Sequence, residues 1–541
     1  MNVITDTLLV NPTEPFEFTP ELKLVIERVR LLARRRAAWL DFLRQEADRK
    51  SDPLIDRDAP DREAQWLVDH APELNDRLGL IENKLESYTA SRLISMTQLF
   101  GLSDLEKDIF QVCLALELDP TLESIFAYLN GDASRSFITG ELAARLLGIG
   151  RSLIWTENSP LRVWRLIKVI QPEAIDPQIL VCDPYMRDWV LGSDNLPSIL
   201  IGKAALRSPL NPPESWPIQK ITDFIQNVYG NGRHQPVWIE ISGFSGSGRR
   251  TLAACASNQI GLPLLAIDLK TIQENEWELT YVISQRQAFL EDWALAWTGE
   301  KIPAPTWPSN IPAFPVQFGI VEQDQTLPTP SGSASISVRI PPLTIDERIS
   351  LWRSAIPAAS AWSKDALQHL ASRFKVTPGE VMKIALQGID SPTAAASSVR
   401  ENQRKQLGQL AHRLDCPYSW SDLVISDCLQ KALDDIEFEA RERVVFWEQP
   451  HAQRLFPQGR GLTALFSGPP GTGKTMAAQV IAAELGLDLF RVDLSSVVSK
   501  YVGETSQNLA KILSRAENMD IVLFFDEADA LFGKRTEIKD A

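Results

Sequence analysis

The chain has 541 residues, 44% hydrophobic and 23% charged, with 28 Gly and 35 Pro. At roughly 100–200 residues per domain this suggests about three or four cores, and it excludes both a single domain and a disordered or fibrous chain. Lys and Arg number 55 against 70 Asp and Glu, a net charge of −15, which argues against sequence-indifferent binding to nucleic acid or an anionic membrane as the main activity.

The first residues, MNVITDTLLVNPTEPF, have no basic stretch leading into an apolar one, and no run in the chain approaches ~18 apolar residues. Five cysteines (Cys113, Cys182, Cys255, Cys416, Cys428) lack C-x-x-C spacing and a histidine partner pattern. They read as buried free thiols, and the chain as a soluble protein of a reducing cytoplasm with no membrane partner.

From residue 21 to 50, Leu22, Val25, Ile26, Val29, Leu32, Ala33 and Leu40 recur at helical spacing, interleaved with Arg28, Arg30, Arg34, Arg35 and Arg36. Residues 1–50 carry 9 basic and 8 acidic side chains, so the arginines read as a solvated face or partner surface. Helical patterns follow at 92–100, 103–116 and 120–129, the second opened by an S-x-x-E capping box (Ser103, Glu106). A helical stretch at 139–147 leads to short β-like runs at 153–156, 163–169 and 179–181, then a helix at 185–191. Small helices ahead of a hairpin suggest a winged-helix-like domain over 91–205, behind a helical region over 1–90. Such a module can read DNA or pack on protein, and no basic recognition helix marks this one.

The apolar strand 236–241 runs into GFSGSGRRT (243–251) and then a helix pattern. This is the layout of a phosphate-binding loop without its chemistry, because Arg249 and Arg250 stand where Lys and then Ser or Thr are required. A strand ending in Asp-Glu is also missing. The best candidate is FLEDWALAW (289–297), whose acids interrupt the apolar run. Residues 206–340 are thus expected to be a degenerate nucleotide-binding-like module, with a buried strand at 316–321. Helical patterns at 347–355 and 378–385 suggest an α-helical lid, and the polar stretch 388–408 reads as a linker, giving lid and linker together over 341–405.

A further core is expected from about Trp420, its strand 462–467 running into GPPGTGKT (468–475) and an alanine-rich helix, 476–485. This loop is complete. Gly468, Pro469, Pro470, Gly471, Thr472 and Gly473 form a backbone cradle for a phosphate chain, with Met476 just behind it. Lys474 is placed for the β- and γ-phosphates and Thr475 for Mg²⁺. Its partner is IVLFFDEAD (521–529), read as a buried central parallel strand ending in two acids. Asp526 there orients Mg²⁺ and Glu527 activates the attacking water, so the catalytic set is Lys474, Asp526 and Glu527, with ATP and Mg²⁺ as cofactors. The fold class expected is α/β, a P-loop core of parallel sheet flanked by helices.

Together GPPGTGKT, SKYVGET and FFDEADALFGKR resemble AAA+ ATPases of the AAA type over 420–541. In that family the KYVG residues face the central pore of a hexameric ring, so the resemblance implies that Lys500, Tyr501, Val502 and Gly503 grip an extended polypeptide. It also puts Asp422 and Leu423 at the adenine pocket. With LFGLSDLEKDIFQVCLALELDP (99–120) ahead of a degenerate and then an intact module, the whole is similar to two-module ATPases encoded with extracellular contractile injection systems. The family pattern continues into a sensor strand, an arginine finger and a second lid. None follows Ala541, so 406–541 reads as a module truncated after its acidic strand, and the chain as written as a weak nucleotide binder and slow hydrolase.

Two readings stay open. One is a ring enzyme that hydrolyses ATP to remodel or thread protein substrates, with an injection-system component among the candidates and the first module a non-hydrolysing scaffold. The other is an ATP-dependent binding switch or scaffold with little hydrolysis. Nucleic acid is not an expected partner of either. The identity of the substrate, the ring size and nucleotide binding by 243–251 are not legible in the sequence.

Overall fold

Three helices begin as their sequences require. Ser103, Thr344 and Thr377 each accept the amide of a Glu three positions on, and the carboxylates of Glu106, Glu347 and Glu380 reach back to the cap amides. The computed structural model describes residues 18–46, 60–150, 156–171, 177–209, 211–230, 235–323, 325–407, 411–448, 461–492 and 519–528, with 509–510, 512–513 and 516. It falls into two units: Met1–Pro212, Pro217–Gly243 and Arg249–Arg339 in one, and Pro213–Trp216, Phe244–Gly248 and Ile340–Ala541 in the other.

The first unit opens with α1 (Pro20–Glu46), α2 (Pro60–His70), α3 (Pro72–Glu86), α4 (Arg92–Leu99), α5 (Asp104–Leu118) and α6 (Thr121–Asn130). Then come β1 (Ile138–Thr139), α7 (Gly140–Leu146), α8 (Pro160–Val163), β2 (Ile167–Ile170), β3 (Ile179–Cys182) and α9 (Pro184–Val190). β3 pairs antiparallel with both β1 and β2. The run expected as a strand at 163–169 is divided: Val163 closes α8, Arg165 turns the chain at φ 54°, and the strand starts at Ile167.

The arginines of α1 differ from the solvated face expected of them. Packed by α3, α5 and α6, the helix buries Arg28 and Arg36 along with its apolar stripe. Arg28 forks onto Asp108 at 2.8 and 3.1 Å and reaches Glu82 at 3.1 Å, Arg30 meets Asp119 at 2.7 Å, and Arg36 meets Glu63. Guanidinium groups enter this interior because carboxylates of α2, α3, α5 and the turn after α5 enter with them.

The unit continues with β4 (Ala204–Arg207), α10 (Ile218–Gly230), β5 (Val237–Gly243), α11 (Arg249–Gln259), β6 (Leu264–Asp268), α12 (Trp277–Glu291), β7 (Ala294–Thr298), β8 (Val316–Glu322) and β9 (Ala334–Arg339). Its sheet order is β4-β6-β7-β8-β5-β9, parallel except for the edge pair β4–β6. The strand that feeds the first glycine loop, β5, is central, held by β8 and β9 on its two sides.

Helix α12 buries a run of side chains on all its faces, Thr280 through Ala288. Several of its polar members are paired inside: Ser284 donates to the Thr280 carbonyl at 2.7 Å, Gln285 accepts the Phe314 amide at 2.6 Å and donates to Gln317 at 3.1 Å, and Gln317 accepts the Trp297 indole at 2.8 Å. Arg286, 1% exposed, donates to the carbonyls of Trp164 at 3.2 Å and Arg165 at 2.7 Å and to Asp183 at 3.1 Å. Trp164 also meets Phe289 edge-on, and the Trp189 indole donates to Glu291 at 2.8 Å. One apolar core therefore runs from Leu22 of α1 to Leu327 beside the six-stranded sheet.

The second unit has α13 (Ile345–Ala355), α14 (Lys364–Arg373), α15 (Pro378–Ala385), α16 (Pro392–Leu407), β10 (Ala411–Leu414), α17 (Asp427–Glu448), α18 (Lys474–Leu485), β11 (Asp488–Val492) and β12 (Ile521–Phe525). The stretch read as a linker is mostly α16, which places Ala395 and Val399 in the core of the bundle formed with α13 to α15. β10 pairs antiparallel with β11, and β11 parallel with β12. The sheet thus begins at Ala411, ahead of the start expected near Trp420.

Two further expectations are corrected here. Residues 462–467 form no ladder, and Leu465 is 85% exposed. β12, read as central and buried, is half-buried, and among the described residues it has a ladder partner on one side only. The first module shows what such a strand needs: β5 is held by β8 and β9, and both come after β7 in the chain.

Cys113, Cys182 and Cys255 are buried and unbridged as expected, burial pushing the Cys113 thiol up to about 12, whereas Cys416 is half-buried and Cys428 exposed. No helix among the described residues is long and apolar enough to cross a membrane.

Candidate functional site

The loop Gly468–Thr475 turns into α18 at Gly473, whose φ of 84° is a conformation that a side chain would oppose. The first amides of α18 have no helical carbonyl one turn back, and no side chain caps them, so an anion can take them. Lys474 folds back over the loop, donating from Nζ to the Gly468 carbonyl at 2.9 Å and the Pro469 carbonyl at 2.8 Å. Thr472 closes the turn through Oγ1 onto Pro469 at 2.9 Å, and Thr475 is exposed.

Helix α18 packs on β11, burying Ala478, Val480, Ile481 and Ala482. Its last residue, Leu485, comes just before β11 starts at Asp488. A helix of this length spans about 18 Å and a five-residue strand about 17 Å, so the glycine loop at the head of α18 returns to the carboxyl end of the sheet. Asp526 and Glu527 follow β12 at that same end. The Glu527 amide donates to Asp526 at 3.1 Å, and Glu527 sits at φ 53°, a backbone state that a non-glycine residue adopts at some cost.

A charged residue not among the candidates, Arg491, also stands at this end of the sheet. Standing on β11 opposite Phe524, it meets Asp526 at 3.0 Å with about half its side chain exposed. Its position, two residues along the same face from the acid, is the period-2 signal that could have found it.

Asp422 lies in the turn Trp420–Asp422, where its carboxylate caps the Ser419 amide at 2.8 Å; hydrogen bonds from Ser419 hold that carboxyl below its usual range. Among the described residues no hydrogen bond joins Asp422 or Leu423 to the loop 468–475. Lys500, Tyr501, Val502 and Gly503 lie outside the described residues.

The two modules correspond in element order and strand pairing. Arg249 and Lys474 both open their helices, and β6–β7 and β11–β12 both pair over five residues, so Gly299 and Glu300 occupy the places of Asp526 and Glu527. The acids of FLEDWALAW are at the other end of the strand: Glu291 closes α12 and Asp292 caps it at φ 52°. Glu300 pairs with Lys270 at 2.8 Å. Arg249 donates to the Val321 carbonyl and stands 4.0 Å from Glu322, while Arg250 reaches Thr298 at 3.3 Å and Asp268 at 3.9 Å. Burial lowers the pKa of both guanidiniums, partly opposed by Glu322 and Asp268.

Comparison with known proteins follows these features. Residues 464–541 match the family model described as ATPase family associated with various cellular activities (AAA), and residues 21–202 match the winged helix domain, variant. The chain is 53% identical over 73 residues to an uncharacterized AAA family ATPase of Sinorhizobium fredii, covering 14% of this chain and 22% of that protein. It is 38% identical over 107 residues to cell division protein C of Sulfolobus acidocaldarius, covering 19% and 28%. To the nuclear valosin-containing protein-like of Mus musculus it is 33% identical over 121 residues, covering 22% and 13%. The chain spans less than a third of the length of each of these relatives. The α/β fold with its parallel sheet is consistent with that of a P-loop NTPase, the match to the AAA family model lying at 464–541 behind the winged-helix match at 21–202.

Proposed function

We propose that residues 468–475 bind ATP with Mg²⁺ and that the protein hydrolyses it to remodel or thread protein substrates. What supports this reading above all is an intact glycine loop and an acid pair brought to one end of one sheet. The residues fit the group: the Lys474 ammonium is held by two carbonyls of its own loop, contacts that phosphate oxygens can replace with full charge. Lys474 then holds the β- and γ-phosphates, and Thr475 and Asp526 hold Mg²⁺. Bound Mg²⁺ supplies charge neutralisation of the transferring phosphate. Glu527 accepts the proton of the attacking water.

By family resemblance the working form is a ring of six copies, with Lys500, Tyr501, Val502 and Gly503 gripping the polypeptide and Asp422 and Leu423 beside the base. The resemblance to ATPases encoded with contractile injection systems makes a component of such a machine the proposed substrate. The test is ATP turnover by the full-length protein over a concentration series with Mg²⁺, beside Lys474→Ala. A rate per subunit that rises with concentration and vanishes in Lys474→Ala supports it, and equal rates in both proteins overturn it.

The engagement of Arg249 and Arg250 within their own module favours a second reading, a binding switch with incidental hydrolysis. Glu527→Gln separates the two: a switch keeps working with ATP bound and uncleaved, and a motor stalls.

A further inference from the structure

The first glycine loop ends as a strand-to-helix turn should, yet its middle, Phe244–Gly248, belongs with the helical bundle of α13 to α16. The Gly246 carbonyl accepts the Gly379 amide at 2.9 Å, in the first turn of α15. A Cβ on Gly246 would stand 2.8 Å from the Thr377 hydroxyl, and one on Gly379 would stand 3.0 Å from the Gly246 Cα. Trp216, 6% exposed, lays the edge of its indole on Gly248, 2.6 Å from where a Cβ would be, and Gly248 has a φ of 93°. Ser215 is tied in turn to Glu347 of α13, by its amide at 2.7 Å and its hydroxyl at 2.9 Å. Ser247, at the loop tip, is itself buried.

A loop of this kind holds a phosphate chain only if its backbone faces an open hollow. Here the Gly379 backbone lies against one side of Gly246, which with Ser245 keeps an exposed side, and an aromatic ring lies on Gly248. We infer that the first glycine loop is an internally filled site: it takes the N-terminus of α15 and the Trp216 ring in place of a nucleotide, and acts as a permanent latch within its unit. This goes further than an absence of hydrolysis, since a dead site could still hold nucleotide. It rests on the proposed function only in leaving nucleotide binding to 468–475.

Two measurements on the full chain test it. The first is binding of a fluorescent ATP analogue with Mg²⁺ to wild type, Lys474→Ala and Arg249→Ala. The latch predicts that Lys474→Ala binds none and that Arg249→Ala binds like wild type. Saturable binding that survives Lys474→Ala and disappears in Lys474→Ala/Arg249→Ala overturns it. No binding even by wild type overturns the proposed function and agrees with the latch. The second is amide hydrogen exchange, which needs no variant: the Gly379 amide should be protected and its rate unchanged by Mg²⁺ and ATP. Trp216→Ala should speed that exchange at least tenfold, and Trp216→Phe should restore most of the protection, with 474–485 unchanged in both. Fast Gly379 exchange in wild type, or slowing by added nucleotide, overturns the latch.

Discussion

The two glycine loops of this chain have exchanged virtues. Gly243–Thr251 has lost the Lys and the hydroxyl its chemistry needs, yet it springs from β5, a central strand with parallel partners on both sides. Gly468–Thr475 keeps every residue of the motif, but 462–467 forms no ladder and leaves Leu465 open to solvent. Sheet and chemistry are therefore separable: the glycines and their helix make the turn, the flanking strands fix it, and the side chain after the last glycine decides what it can hold.

The comparison breaks first on turnover. In the full-length protein Lys474→Ala should abolish it, and Glu527→Gln should lower it by about 10²–10⁴ while keeping nucleotide bound. Arg249→Ala should change it less than about twofold, and a loss as deep as that of Lys474→Ala would erase the distinction between the loops. Stability is the next lever. Arg286→Ala leaves Asp183 and two carbonyls buried without their donor, so equilibrium urea unfolding should show a loss of about 3–5 kcal/mol. Ile241→Ala, in the laddered strand, should cost about 2–5 kcal/mol by the same measurement. Leu465→Ala, close to the corresponding place in the second module, should stay within about 0.5 kcal/mol in this chain.

Acid is a gentler probe. Burial pushes the Glu347 carboxyl up, but hydrogen bonds from Ser215 and Thr344 more than offset this and leave it below the usual range. Its contribution is therefore present above the ordinary value of ~4.3 and lost as pH falls through the lowered one. Thermal midpoints of wild type and Glu347→Gln should differ at pH 7 and converge as pH falls below the usual carboxylate range. A gap that widens on acidification would reverse the assignment. Arg491→Ala is expected to be small as well, since its exposed pair with Asp526 is worth less than about 1 kcal/mol in a denaturation curve.

Much of this was legible where local signals agree with the fold. S-x-x-E placed the start of α5, the pattern from Pro378 that of α15, strand, glycines and helix followed one another at the first loop, and glycines and helix at the second. Helix α12 was not legible, because a helix buried on all sides shows no apolar period, and Ser284, Gln285 and Arg286 look like surface until their partners are known. The start of α16 did carry a signal: Ser391 accepts the Ala394 amide, with Pro392 opening the helix. Its polar composition hid the two positions, Ala395 and Val399, that enter the bundle. At 462–467 the sequence says strand, and a strand needs neighbours that no local pattern supplies.

The binding of the winged-helix domain to the six-stranded sheet has a mechanical consequence. Arg286 grips the end of α8 and the turn after it, Trp189 hangs on Glu291, and the apolar core passes through without a seam. A partner pulling on the N-terminal helices would meet no swivel there. The load would pass along α12 into β7 as though through a lever cast in one piece, and the work of a tug at α1 would reach the strands undiminished by slack.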